Sequence, residues 1–278
     1  MALVPFPQNR TDDENLPAKP DGFSPFDDEL EEVGEGRMTF LEHLDELRKR
    51  ITHAVVALLV GFIAAFAVAN YVLAFVYAHL TENIPGGKFI YTDPGEGFFL
   101  WIKVALVTGV LMSSPYIMWQ VWLFIAPGLY AKEKRLAIPF VISSSALFIG
   151  GFMFSHYVLF PAAWKFFASF TNEYMTFTPR IEPVWDMYVK LGLGMGLVFQ
   201  MPVIMFVLAR LGIVTAGFLV RNFKYAFLII FIVAAIITPD GSPANQILVG
   251  LPMVGLYIVG IAVVWIFGKS KRSDPEVG

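Results

Sequence analysis

Two short stretches each set a carboxylate among cations. In MTFLEHLDELRKRI, residues 38–51, Glu46 stands four residues before Arg50, and in AKEKR, residues 131–135, Glu133 is the one acid among Lys132, Lys134 and Arg135. The chemistry open to such carboxylates is ion pairing and charge-assisted hydrogen bonding. On one helix face Glu46 and Arg50 would form an i,i+4 pair of roughly 0.3–0.5 kcal/mol, and Glu133 would neutralise a basic turn locally. Nothing in the chain spells catalysis. His43, His53, His79 and His156 are scattered, with no HExxH pattern and no carboxylate constellation. With no cysteine there is no disulfide, thiolate metal site or Cys nucleophile. No catalytic residue, cofactor or metal site is expected. Gly192, Gly194 and Gly196 spell GxGxG, but without a preceding strand this is no dinucleotide fingerprint. It reads as close helix packing, as do Ser143, Ser144, Ser145, Gly150 and Gly151.

Polar residues inside apolar surroundings form a second group. Gln200 sits at the centre of an apolar run, two residues before Pro202, where an interhelical hydrogen bond to a kinked backbone would satisfy it. Lys103 lies about one turn inside another run and reads as an anchor snorkelling outward, with Glu96 or Asp93 as an alternative partner. Asp93 and Glu96, in YTDPGEGFF, are expected to order a loop rather than to do chemistry.

The elements that must position these groups follow from composition. Fifty-six per cent of the 278 residues are hydrophobic and only 15% charged, against nearer half apolar and a quarter charged in soluble domains. Soluble enzymes and nucleic-acid binders are thereby excluded, and an integral membrane protein is implied. The formal charge of −3 divides unevenly: residues 1–36 hold ten acids against Arg10 and Lys19, a balance of −8, and the remainder carries +5. Prolines 5, 7, 17, 20 and 25 with this acid excess make 1–36 read as a disordered acidic tail. Its start has neither the basic nor the apolar region of a signal peptide. Six apolar runs follow, judged against the ~20 residues that cross ~30 Å of hydrocarbon: about 54–78, 98–125, 136–160, 191–209, 225–238 and 247–267. The fifth has only 14 residues before Pro239, about 21 Å of helix, too short to span unaided. Ahead of the first run, Thr39 and Glu42 form a capping box, and Phe40, Leu44, Leu47 and Ile51 share one face of an amphipathic helix. With the N-terminus inside, thirteen Lys and Arg flank the inner helix ends and five the outer ones, which sets both termini in the cytoplasm. The expectation is an all-α polytopic protein: a tail over 1–36, a six-helix transmembrane domain over 37–268 and a cytoplasmic C-terminal tail over 269–278.

HLDELRKRI, QVWLFIAPGLYAKEKR, LFPAAW and the Thr238-Pro239 turn together closely resemble the TatC family, the multispanning receptor subunit of the twin-arginine protein translocase. The resemblance covers roughly residues 37–268. It implies a protein of the inner membrane whose cytoplasmic acids, at positions matching Glu46 and Glu133, receive the paired arginines of a folded cargo's signal peptide. Guanidinium meets carboxylate bidentately, a geometry lysine cannot supply. The resemblance further implies that Leu47 and Phe124 hold the signal's apolar part and that Arg48, Pro127, Leu129 and Tyr130 shape the site. Relatives often carry glutamate where Gln200 stands; an amide cannot titrate, so Gln200 with Pro202 is expected as a docking place for the single-helix TatA- and TatB-type subunits. Energy from the proton-motive force and homo-oligomers within a complex are implied by the family alone. Two other readings stand beside this one: a secondary transporter, which should show internal repeats and broken helices around midplane charges, and a structural scaffold.

Overall fold

The computed structural model of the chain describes residues 40–81, 89–125, 137–174, 177–238 and 241–268. The chain divides into two units, Met1–Asp45 and Glu46–Gly278. Of the first, only the opening helical turns from Phe40 onward are described, and the packing below belongs to the second.

The architecture is all-helical: no strand forms among the described residues. Helix α1 (Phe40–Phe66) merges the amphipathic segment with the first apolar run, and α2 (Ala69–Thr81) follows. The single helix expected over 54–78 is therefore two. Ala67 and Val68 donate to Ala64 and Ala65 in i→i−3 bonds, tightening the last turn of α1. The flanking Ala65 and Ala69 are both fully buried, small enough to let α2 turn onto its neighbour. That neighbour is α3 (Glu96–Ile125). Pro115 inside α3 has no N–H to offer the Leu111 carbonyl, and Ser114 Oγ donates there instead at 2.8 Å.

Helix α4 (Ala137–Phe154) runs through a π turn, Ser155–Leu159, into α5 (Phe160–Ala168), ending eight residues beyond the expected 160. Helix α6 (Ile181–Val198) begins ten residues before the expected 191. Its first turns carry Glu182, Asp186 and Lys190, charges that mask it from a reading based on apolar runs. After a break at Phe199 and Gln200, α7 (Met201–Arg210) continues the path with Pro202 in its first turn. Short α8 (Ala216–Arg221) precedes α9 (Phe223–Ile237), and α10 (Pro243–Phe267) starts from a Ser242 cap that accepts from Asn245 N–H. Among the described residues, five helical segments are long and apolar enough to cross a membrane, Leu41–Phe66, Glu96–Ile125, Ile138–Ala168, Ile181–Arg210 and Pro243–Phe267, while Ala69–Ala78 and Phe223–Ile237 are shorter.

The core lies where α4 packs on α6 and α10 packs on α7 and α9. Trp185, Tyr188, Phe160, Leu159, Leu191, Met195 and Met253 are its largest enclosed apolar side chains. The expected small-residue packing holds at Gly151, Gly192 and Gly196: a Cβ on Gly151 would lie 2.6 Å from the Met195 carbonyl. Gly150 instead faces open space. Helix α1 stands largely outside this core, with 11% of its apolar stretch buried against 56% for Ile181–Arg210. Its close approach to α3 runs through Gly61 and Gly109, where an added Cβ on Gly109 would lie 2.7 Å from the Phe62 nitrogen.

Candidate functional site

Glu46 lies on the first turns of α1, where the helix carries it and Arg50 on one face. Arg50 Nη2 donates to Glu46 Oε1 at 3.0 Å, so the i,i+4 pair forms. It does not use up the carboxylate. The Glu46 side chain is 14% exposed, and its Oε2 is shielded from solvent with no hydrogen-bond partner, as is Arg50 Nε. Leaving a buried acceptor without a donor costs ~1–3 kcal/mol, so a second cation donor arriving at Oε2 would recover free energy. Leu47 beside it is half-buried and Arg48 exposed. Phe124, at the end of α3, is half-buried, and Trp122 two residues earlier is enclosed with Phe140 and Val207, the Trp122 and Phe140 rings 4.7 Å apart. Pro127, Leu129, Tyr130 and Glu133 lie outside the described residues.

Gln200 is buried at the α6–α7 break, and its Nε2 donates to the Ser144 carbonyl of α4 at 2.9 Å. Its backbone carbonyl accepts from Ile204. Pro202 is buried in the turn that follows. The amide thus holds two helices together across a kink. Sequence reading did not single out three further buried polar groups. Gln120 on α3 keeps a shielded Oε1 without a partner. His156, in the π turn, lies 3.0 Å from the Tyr188 hydroxyl and stacks on Phe75. Asn245 is enclosed at the start of α10.

At the opposite end of α3 the charges are organised differently. Lys103 Nζ donates to Glu182 Oε1 at 2.9 Å and Asp186 Oδ1 at 2.8 Å. Of the two readings of Lys103, the alternative pairing with Glu96 or Asp93 is not the one formed: Lys103 lies two turns along α3 from Glu96 and pairs with α6. Glu96 is buried and accepts from Arg180, from Thr92 Oγ1 at 3.2 Å and from the Thr92 N–H at 3.4 Å. The Glu96 carboxylate, by hydrogen bond and by charge, holds the Arg180 guanidinium pKa above its ordinary value, and Glu182 and Asp93 add to it. Asp93 Oδ1 accepts from the Gly95 N–H at 2.8 Å. A parallel bridge between Ile90 and Arg180, with Ile181 N–H on the Ile90 carbonyl at 3.0 Å, closes this cap. The signal for Lys103's partners was present in EPVWD, whose two acids are four residues apart and so share a helix face.

Comparison with known proteins decides what this frame is. The family model for the Sec-independent protein translocase protein TatC matches residues 42–252. The chain belongs to the TatC family. Curated TatC proteins from Koribacter versatilis and Helicobacter pylori (strain J99) are 38% identical over 246 residues and 39% identical over 232. Those alignments cover 86% and 84% of this chain and 90% and 91% of the relatives. A crystal structure titled as the twin-arginine translocase receptor TatC superposes with a TM-score of 0.72 at 34% identity, over 80% of this chain and 97% of that one. Membership in TatC makes the chain a multi-pass inner-membrane subunit of a protein translocase rather than an enzyme, and neither a solute transporter nor a plain scaffold is favoured.

Proposed function

We propose that this TatC protein receives the Arg-Arg signal peptides of folded cargo at its cytoplasmic face and nucleates the translocating assembly there. The carrying observation is Glu46, a shielded carboxylate with one oxygen given to Arg50 and the other without a donor. An arginine of the signal would take Oε2, and Glu133 would take the second arginine. A single exposed pair contributes only ~0–1 kcal/mol, so recognition needs both carboxylates and an apolar contact, for which Leu47, next to Glu46, and Phe124, at the end of α3, are the candidates. Arg48, Pro127, Leu129 and Tyr130 complete the surface. The excess of Lys and Arg on one set of flanks supports both termini in the cytoplasm, and α9, 15 residues or about 22 Å long, supports a sixth crossing through locally thinned bilayer. Single-helix TatA- and TatB-type subunits dock near Gln200 and Pro202, several copies of the chain join one complex, and the proton-motive force drives transport.

The test is binding of a twin-arginine signal peptide to the protein in lipid nanodiscs, beside its Lys-Lys version and the Glu46→Ala and Glu133→Ala proteins. Tight binding that drops with either change supports the reading. Equal, weak binding throughout removes it.

A further inference from the structure

Between α7 and α9 the chain runs through twelve residues, 211–222, of which seven are apolar. Gly212, at φ +75°, turns it out of α7, and the short helix α8 then packs on α10. Leu219 is buried there, and its carbonyl accepts from the Tyr257 hydroxyl at 3.1 Å. Holding Leu219 inward turns its neighbours out. Phe218 and Val220 are 49% and 59% exposed, and Ile213 ahead of them is 67% exposed. Two cations follow at once. Arg221 and Lys224 are exposed, and among the described residues neither forms an ion pair; Lys224 Nζ lies 4.9 Å from the centre of the Tyr225 ring. No Asp or Glu occurs in the chain between Asp186 and Asp240.

A connection that met only water would be disfavoured by so much exposed apolar side chain. Its place in the fold supplies the cover. It joins the end of the Ile181–Arg210 span to the apolar helix α9, so it stands where a span leaves the hydrocarbon. Acyl chains can cover Ile213, Phe218 and Val220 there, while long basic side chains reach the phosphates. Charge then selects the lipid: two cations without an acidic partner favour a headgroup of net negative charge over a zwitterionic one, whose ammonium they repel. A cationic polypeptide is repelled by the same pair. We propose that the α7–α9 connection is an interaction surface for anionic phospholipid, with Ile213, Phe218 and Val220 set into the acyl chains and Arg221 and Lys224 on the headgroup phosphates. The bilayer satisfies the apolar and the charged halves of this patch together. The proposal uses neither Glu46 nor Gln200, so it stands or falls apart from the signal-peptide and partner-docking readings.

Because the chain has no cysteine, a fluorophore on Val220→Cys reports from this patch alone. In nanodiscs of phosphatidylcholine with a minority of phosphatidylglycerol, brominated acyl chains are placed on one lipid at a time and quenching is compared. Phosphatidylglycerol should be favoured about tenfold at the label, below the product of two roughly fivefold contributions because salt screens exposed charges. Arg221→Gln with Lys224→Gln should abolish the preference and keep quenching by both lipids, since the apolar half remains. Arg221→Lys with Lys224→Arg, which keeps both charges, should keep the preference. If the double glutamine protein does not fold, the two single variants replace it, each expected to lose about threefold. The same fluorophore on Leu251→Cys, exposed farther along α10, should show no preference. Absence of quenching by either lipid, equal quenching by both, a preference that survives removal of the charges, or the same preference at Leu251 would each overturn the proposal. So would a photo-crosslinker at Phe218 that captures polypeptide instead of lipid in whole membranes, because a protein segment would then cover the patch.

Discussion

The start of α3 and the start of α1 treat carboxylates in opposite ways. At the Glu96 end three acids meet a cation from a distant part of the chain: Glu96 holds Arg180, and Lys103 holds Glu182 and Asp186 together. At the other face of the protein Glu46 meets a cation only four residues away on its own helix. A pair that ties distant segments does structural work, since breaking it releases the loop it closes. A pair within one turn closes nothing, because the helix exists without it. The contrast separates acids that hold the fold from an acid that can exchange its partner for an incoming one.

Reversing the charge at the tied end should give the largest effect. Arg180→Glu sets a second carboxylate against buried Glu96 and removes the donor that bridges the loop before α6 to the start of α3. Uncompensated burial of one partner of an ion pair is among the most destabilising single changes, and a fall in Tm of roughly 10 °C is expected in a thermal unfolding measurement in nanodiscs. A Tm within ~2 °C of wild type would erase the distinction between the two sites. By contrast, Glu46→Ala should leave Tm within ~2 °C and weaken twin-arginine peptide binding by roughly 10- to 100-fold, the loss of one charge-assisted contact. Destabilisation without selective loss of binding would move Glu46 into the structural class.

A smaller effect tests the same contrast more finely. Lys103 is 35% exposed on its side chain and its two acids are 41% and 48% exposed, so solvent screens the cluster and discounts it. Lys103→Met should lower stability by about 1 kcal/mol, a Tm shift of ~2–4 °C, and leave peptide binding unchanged. A shift as large as that of Arg180→Glu would show that exposure does not scale these pairs.

Much of this was legible in the sequence, for physical reasons that also mark where it stopped. Long apolar runs announce helices because the bilayer demands them, so helices and their order could be read directly. Pro202 and Gln200 announced the α6–α7 break, since a missing N–H and a midplane amide both require a kink or a partner. The break at Ala67–Val68 carries no such signal: neither proline nor glycine stands there, and only burial of Ala65 and Ala69 against neighbours decides it. The start of α6 was hidden because Glu182 and Asp186 look like loop charges until Lys103 is seen facing them. The Gly61–Gly109 crossing was equally hidden, because two isolated glycines forty-eight residues apart do not reveal that they touch. Glu46 was legible as a candidate, but its unpartnered oxygen is a matter of packing, not of spacing.

The smallest expected effect discriminates best. Arg50 occupies Glu46 Oε1 in the free protein, so if a signal arginine binds bidentately it must displace Arg50 from that oxygen. Displacement costs what the i,i+4 pair contributes, ~0.3–0.5 kcal/mol. Removing Arg50 removes that cost: Arg50→Ala should tighten twin-arginine peptide binding about twofold, the opposite sign from Glu46→Ala. If instead Arg50 positions Glu46 for a single contact through Oε2, its loss frees the side chain to rotate and binding weakens. A titration of labelled peptide against both proteins at one ionic strength reads the sign directly. Weaker binding on Arg50→Ala would make the pair part of the receptor geometry rather than a competitor the signal displaces.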